Sequence, residues 1–260
     1  MITPALPPLP TTPQALASLS RPDWDAVLAG PPAAAAAWML AAARMGFDEA
    51  QAVLGQWLLD GHGVARNPEG GLAWFRRAAE QGHAMAMNMV GRCCENGWGT
   101  PIDLPAAVRW YRQAAAKGID VGLYNYANQL ASGRAIAQDH AQALALYRRA
   151  AEMGHVKSMG KVGRYHEDGL VVPKDTEKAF HCYRLGAEGG DFRAQFAYAG
   201  MLAAQGRHDE ALFWLRQVPL TATPAYLQEA GRLLQASTHH GVRSVGQEML
   251  ARSSDSASSP

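Results

Sequence analysis

Apolar residues recur in adjacent pairs one helical turn apart along Trp74-Phe75-Arg76-Arg77-Ala78-Ala79-Glu80-Gln81-Gly82, and the chain repeats this line. It returns as Trp110-Tyr111-Arg112-Gln113-Ala114-Ala115-Ala116-Lys117-Gly118, as Leu146-Tyr147-Arg148-Arg149-Ala150-Ala151-Glu152-Met153-Gly154, and as Cys182-Tyr183-Arg184-Leu185-Gly186-Ala187-Glu188-Gly189-Gly190, each copy 36 residues after the last. An earlier copy carries Trp38-Met39, Ala42-Ala43 and Gly46. The spacing predicts a helix with one buried face in every copy. Self-similarity at a fixed period of about 20 to 50 residues marks supersecondary units that bury their apolar faces by stacking.

A second line lies between these B-helices. Ala50 to Gly63 contains Leu54-Gly55, Trp57 and Gly61-His62-Gly63, and it returns at Ala86 to Gly99, Gly122 to Ala135 and Ser158 to Val171. It predicts an A-helix ended by glycine. The small residues at 55, 91, 127 and 163 let the facing helix approach closely. Asn67, Asp103, Asp139 and Asp175 are N-cap residue types placed to open each B-helix. A fifth A-helix is predicted from Asp191 to Gln205, with a partner around Asp209 to Leu215 that arrives four residues early.

The ends of the chain break the pattern. Eight of the fifteen prolines lie in the first 32 residues, so 1–30 reads as an extended arm with a short helix at Pro22 to Leu28. Residues 31–218 read as a half-repeat followed by five helix pairs, and 219–252 as capping helices. In the cap, Tyr226, Leu227, Ala230, Leu233 and Leu234 share one apolar face. Ser253 to Pro260 has the composition of a disordered tail. The fold class is all-α, a right-handed α-solenoid.

Composition narrows the function. A net charge of +1 and the absence of a basic stripe argue against a nucleic-acid partner. No apolar stretch reaches the roughly 18 residues of a membrane span, and the start of the chain lacks the pattern of a secretory signal. Three cysteines, two of them adjacent, are not a disulfide framework, which points to a reducing compartment and hence the cytoplasm.

With A-x3-L-G-x2-Y-x2-G-x-G-V-x2-D/N-x4-A-x-x-W-Y-x2-A-A-x2-G in view, the chain from Pro31 to Val218 resembles the Sel-1-like repeat family, relatives of the tetratricopeptide repeats, of bacterial cytoplasmic type. The third copy departs with Gly133-Arg134-Ala135, and the fifth has lost the turn glycines altogether, so those two turns are expected to differ. The resemblance implies an adaptor or scaffold that holds a peptide or another protein. It also implies that the A-helices line a concave groove. With the Leu-Gly positions buried, the groove would present Asn88, Arg92, Tyr124, Asn128, Lys157, Arg164, Arg193 and Phe196. Amides can bond an extended peptide backbone and cations can hold carboxylates, which suits a partner with an acidic segment. Glu95, Glu167 and Asp168 share the face and partly offset its charge.

No catalytic, cofactor or metal site is read from the sequence. The Gly-x-Gly turns lack the preceding strand and third glycine of a dinucleotide site. The nine histidines include no His-x3-His pair, and His83 and His155 share one repeat position. One of Cys93 and Cys94 takes an aromatic slot of its helix, where a buried thiol is inert. The competing readings are an accessory or regulatory subunit of an enzyme, an enzyme whose residues leave no motif, and a self-associating scaffold; the oligomeric state is open.

Overall fold

The computed structural model describes residues 9–255, and these contain fifteen α-helices, a single 3-10 turn and no strand. The chain divides into two units, Met1–Gln138 and Asp139–Pro260. In the first, α1 (Pro13–Ala17) and α2 (Arg21–Ala29) precede α3 (Pro32–Arg44). Then come α4 (Asp48–Asp60), α5 (Pro68–Glu80), α6 (Ala84–Asn96), α7 (Leu104–Ala116) and α8 (Asp120–Ser132), each packed on the next. The second unit contains α9 (His140–Glu152), α10 (Val156–Asp168), α11 (Thr176–Glu188), α12 (Phe192–Ala204) and α13 (His208–Gln217). It ends with α14 (Pro224–Gln235) packed on α15 (His240–Asp255).

Local chemistry sets these boundaries. Asn67, Asp103, Asp139 and Asp175 each accept a backbone N–H three residues on, from Gly70, Ala106, Gln142 and Lys178, and so satisfy a donor left open at the start of a B-helix. His83 and His155 do the same for α6 and α10, with Nδ1 accepting from the N–H of Ala86 and Ser158. Their shared repeat position is therefore a cap position. Gly61, Gly97, Gly133 and Gly169 end the A-helices in the left-handed conformation.

The core is built from rings of the B-helices laid on glycines of the A-helices. A Cβ placed on Gly91 would lie 2.7 Å from the Tyr111 ring, and one on Gly55 or Gly163 would meet Phe75 or Tyr183 at 2.9 or 3.0 Å. Phe75, Tyr111 and Tyr183 are buried as a result. The tyrosine hydroxyls still find partners: Tyr111 donates to Glu95 and Tyr183 to Glu167, both at 2.6 Å. Two of the three carboxylates expected to offset charge on the open face, Glu95 and Glu167, are thus engaged by core phenols. Burial and the adjacent carboxylate hold both phenols far above the ordinary tyrosine range.

Two boundaries differ from the sequence reading. Helix α15 continues through Ser253 and Ser254 to Asp255, where a disordered tail was expected; 256–260 lie outside the described residues, as do 1–8 of the expected arm. In the fifth pair Gly206, with φ +76°, supplies the turn alone, so the loop is short but has not lost its glycine. In the third copy Gly133 is left-handed and Ala135 is not, which is the altered turn the sequence pointed to.

Ala79 and Ala115 are buried where consecutive helices meet, whereas the equivalent Ala151 is half-buried. A Cβ on Gly122 would lie 2.9 Å from the Ala115 nitrogen, which shows how closely α7 and α8 approach. Ala115→Leu is expected to overpack this contact and cost about 1 to 3 kcal/mol. Urea denaturation followed by circular dichroism checks it; an unchanged midpoint would mean that the added side chain escapes to solvent.

Candidate functional site

Within each unit the A-helices also pack on one another, α6 on α8 and α10 on α12. This second contact buries more of the A-helix than the Leu-Gly stripe alone. Asn88, expected on the open face, is 3% exposed, and its Oδ1 accepts a hydrogen bond from Asn125 Nδ2 at 2.8 Å. It is a bond between neighbouring A-helices and not a groove residue. Gln129 Nε2 makes a second such bond, 2.7 Å to Glu95 Oε1. Tyr124 and Asn128 are half-buried. Of the four residues expected in the first unit, Arg92 alone is exposed, and its guanidinium lies 4.9 Å from the Trp98 ring centre.

The second unit brings more of the expected set together. Lys157 and Arg164 are exposed on α10, although Arg164 Nε is tied to Asp168 Oδ2 at 3.3 Å. Arg193 opens α12 with its guanidinium 4.5 Å from the Phe192 ring centre and 5.5 Å from that of Tyr226. Phe196 is half-buried and meets Tyr226 edge to face at 6.1 Å. It packs against the ring that Arg193 covers and is less open than expected.

Two residues of this cluster escaped the sequence reading. Lys161 is half-buried on α10 beside Arg193 and Arg164, and burial followed by those like charges lowers its pKa. A partial signal was available: of the four equivalent residues Val53, Met89 and Ala197 are apolar and Asn125 alone is polar. Tyr226 stands on α14, outside the repeat, so no repeat phase could have placed it; burial pushes its phenol up to about 12. Asp191 caps α12 by accepting the N–H of Ala194 at 3.1 Å. It is buried, and that burial raises its pKa although Arg193, Lys157 and Lys161 surround it. Among the described residues no carboxylate lies within ion-pair distance of Lys157, Lys161 or Arg193. The cluster therefore presents three cations beyond ion-pair distance of any described carboxylate but gathered around the buried Asp191, with Arg193 against the Tyr226 ring and Phe196 next to that ring.

The rest of the chemistry is structural. All three cysteines are free; Cys93 and Cys94 are buried, and desolvation pushes Cys93 up to about 11. A thiol held protonated is a poor nucleophile and a poor metal ligand. Among the described residues no three His, Cys, Asp or Glu side chains converge in a metal-binding group. Nor is any of their helices long and apolar enough to cross a membrane.

These repeats have counterparts. The family described as Sel1 repeat matches residues 48–83, 84–119, 121–155 and 156–191, more than half of the chain. The chain belongs to the Sel1 repeat family. Each Sel1 match begins at or next to an A-helix start and takes in the following B-helix, so α4 to α11 are four family repeats. No curated protein matches the sequence. Among solved structures it is similar to a Sel1 repeat protein from Oxalobacter formigenes, at 24% identity and a TM-score of 0.67 over 82% of this chain and 87% of that one. It is also similar to c5321, a protective antigen of uropathogenic Escherichia coli with an SLR fold, at 25% identity and a TM-score of 0.66 over 86% of this chain. The match spans 49% of that protein, about half its length. A putative Sel1 repeat protein from Klebsiella pneumoniae follows at 21% identity and a TM-score of 0.52, over 84% of this chain and 99% of its own. The fold is thus an α-solenoid of Sel1 repeats, and such repeats generally mediate protein–protein interaction.

Proposed function

We propose that this Sel1 repeat protein is a non-enzymatic adaptor or scaffold that captures an acidic segment of another protein through the A-helix face of its second unit. The observation that carries this reading is the group Lys157, Lys161 and Arg193, three cations gathered around the buried Asp191 with no carboxylate of the described residues within ion-pair distance, with Arg193 against the Tyr226 ring that Phe196 also meets. A half-buried lysine whose pKa is lowered by burial and like charge is relieved when an anion arrives. The aromatic rings supply apolar contact at the same place. Arg164 contributes less than expected, because Asp168 already holds it. The free thiols suit a cytoplasmic setting.

A peptide array comparing acidic segments with neutral analogues of equal length tests the reading. The wild-type protein is expected to retain acidic peptides and to lose them as salt rises past the screening range. Lys161→Ala combined with Arg193→Ala should weaken retention about tenfold or more, since charge-assisted hydrogen bonds contribute about 1.5 to 3 kcal/mol each. The melting temperature should move little. Equal retention of acidic and neutral peptides, or an unaffected double variant, would overturn the proposal.

A further inference from the structure

The first unit holds a separate polar pocket of about 230 Å³ lined by Gln56, Leu59, Asp60, Arg66, Arg92 and Trp98. Building on the adaptor reading, we propose that this pocket receives a single carboxylate side chain, Asp or Glu, of a bound polypeptide. Its size argues for one side chain, since pockets for whole small molecules run from about 300 to 1,000 Å³.

Comparison of equivalent repeat positions shows what is unusual here. Arg66 Nε donates to the Leu59 carbonyl at 3.0 Å, closing the end of α4. Two repeats later Gln138 Nε2 makes the equivalent bond to the Ala131 carbonyl at 2.8 Å. A glutamine suffices for the cap, so the terminal guanidinium nitrogens of Arg66 exceed what the fold requires. Arg92 differs from its counterpart in the same manner. Arg164 is neutralised by Asp168 four residues on, but the residue four after Arg92 is Asn96, whose Nδ2 bonds the Arg92 carbonyl at 2.9 Å. Left without that carboxylate, Arg92 lies over Trp98.

Charge selects the ligand. Among the described residues neither arginine has a carboxylate within ion-pair distance, and Asp60, the one acid lining the pocket, is engaged by Gln56 Nε2 at 2.7 Å. Two cations against one anion leave a single positive charge, which matches a carboxylate. A phosphate monoester carries nearly two negative charges at neutral pH and would be repelled by Asp60. Arg66, fixed through Nε, and Arg92, laid on an indole, are both held before the ligand arrives, which lowers the entropic cost of capture.

The test is a nitrogen-15 NMR titration of the full chain at pH 7.5, following the Arg66 Nε–H and Trp98 indole N–H signals. The probes are N-acetylglutamate N-methylamide, its glutamine analogue and methyl phosphate. The glutamate probe is expected to give saturable shifts with a Kd on the order of 1 to 10 mM, the range of one small charged contact. The glutamine analogue should give none, and methyl phosphate should bind at least threefold more weakly. Arg66→Gln with Arg92→Gln should abolish the response while keeping the native melting temperature, because Gln138 and Gln56 already occupy equivalent positions. Asp60→Asn should reverse the order of carboxylate and phosphate. No saturable shift from the glutamate probe, a wild-type preference for phosphate, or an unaffected double variant would each overturn the proposal. If the second unit fails its peptide test while these shifts saturate, the adaptor site is wrong and the pocket stands; the opposite result removes the pocket alone.

Discussion

Tyr111→Ala is expected to cost about 3 to 5 kcal/mol, the range for truncating a fully buried ring. Tyr111 is 0% exposed, its ring lies against Gly91, and no side chain on that glycine can move in to fill the space. The hydroxyl contributes separately. Tyr111→Phe keeps the ring and removes the donor to Glu95 Oε2, leaving that half-buried carboxylate with its bond from Gln129, and should cost about 1 to 2 kcal/mol. Urea denaturation of both variants and the wild type by circular dichroism measures the two contributions. Repeat arrays can lose cooperativity, so the comparison holds where the wild-type transition is single. A loss under 1 kcal/mol for Tyr111→Ala would show that the ring-on-glycine contact is not the core of this repeat.

Gly99→Ala should be almost as damaging, for a backbone reason. Gly99 has φ +70°, and a Cβ added there would stand 2.3 Å from the Pro68 carbonyl oxygen and 2.7 Å from the Glu69 nitrogen, both main-chain atoms that cannot rotate away. Gly118 is the control: its φ is +81°, and an added Cβ would meet nothing within 4 Å. Gly118→Ala should therefore show only the conformational cost, about 1 to 2 kcal/mol. Gly99→Ala should add overpacking of about 1 to 3 kcal/mol more. Val171, two repeats after Gly99, holds φ 55° with its side chain 52% exposed, so left-handed backbone without enclosure is tolerated in this fold. Equal midpoints for the two alanine variants would place the cost in the backbone conformation alone.

Much of the helical frame was legible because it rests on short-range signals. The residues that bury each helix recur one turn apart within a single copy, and Asn67, Asp103 and Asp139 reach backbone groups only three residues away. Such information survives in a linear reading. The candidate surface was partly legible. Arg92, Lys157 and Arg193 were placed outward from the position of the Leu-Gly pair, and the structure leaves them exposed. Asn88 failed because burial there depends on a second neighbour, α8, that the pattern within one helix does not encode.

The sequence alone therefore determined the repeat length, the two helices of each repeat, the glycine turns of the first four pairs and the B-helix caps, since all of these depend on residues a few positions apart. Tertiary structure decided which polar groups remain available. Asn88 is consumed by Asn125, Glu95 and Glu167 by Tyr111 and Tyr183, and Arg164 by Asp168. It also brought Tyr226, from outside the repeats, against Arg193 and Phe196, and placed Arg66 beside Arg92 in one pocket. The reason is geometric: a helix period fixes the direction of a side chain, but its partner depends on how closely the neighbouring helices pack, and that distance is set by side chains far away in sequence.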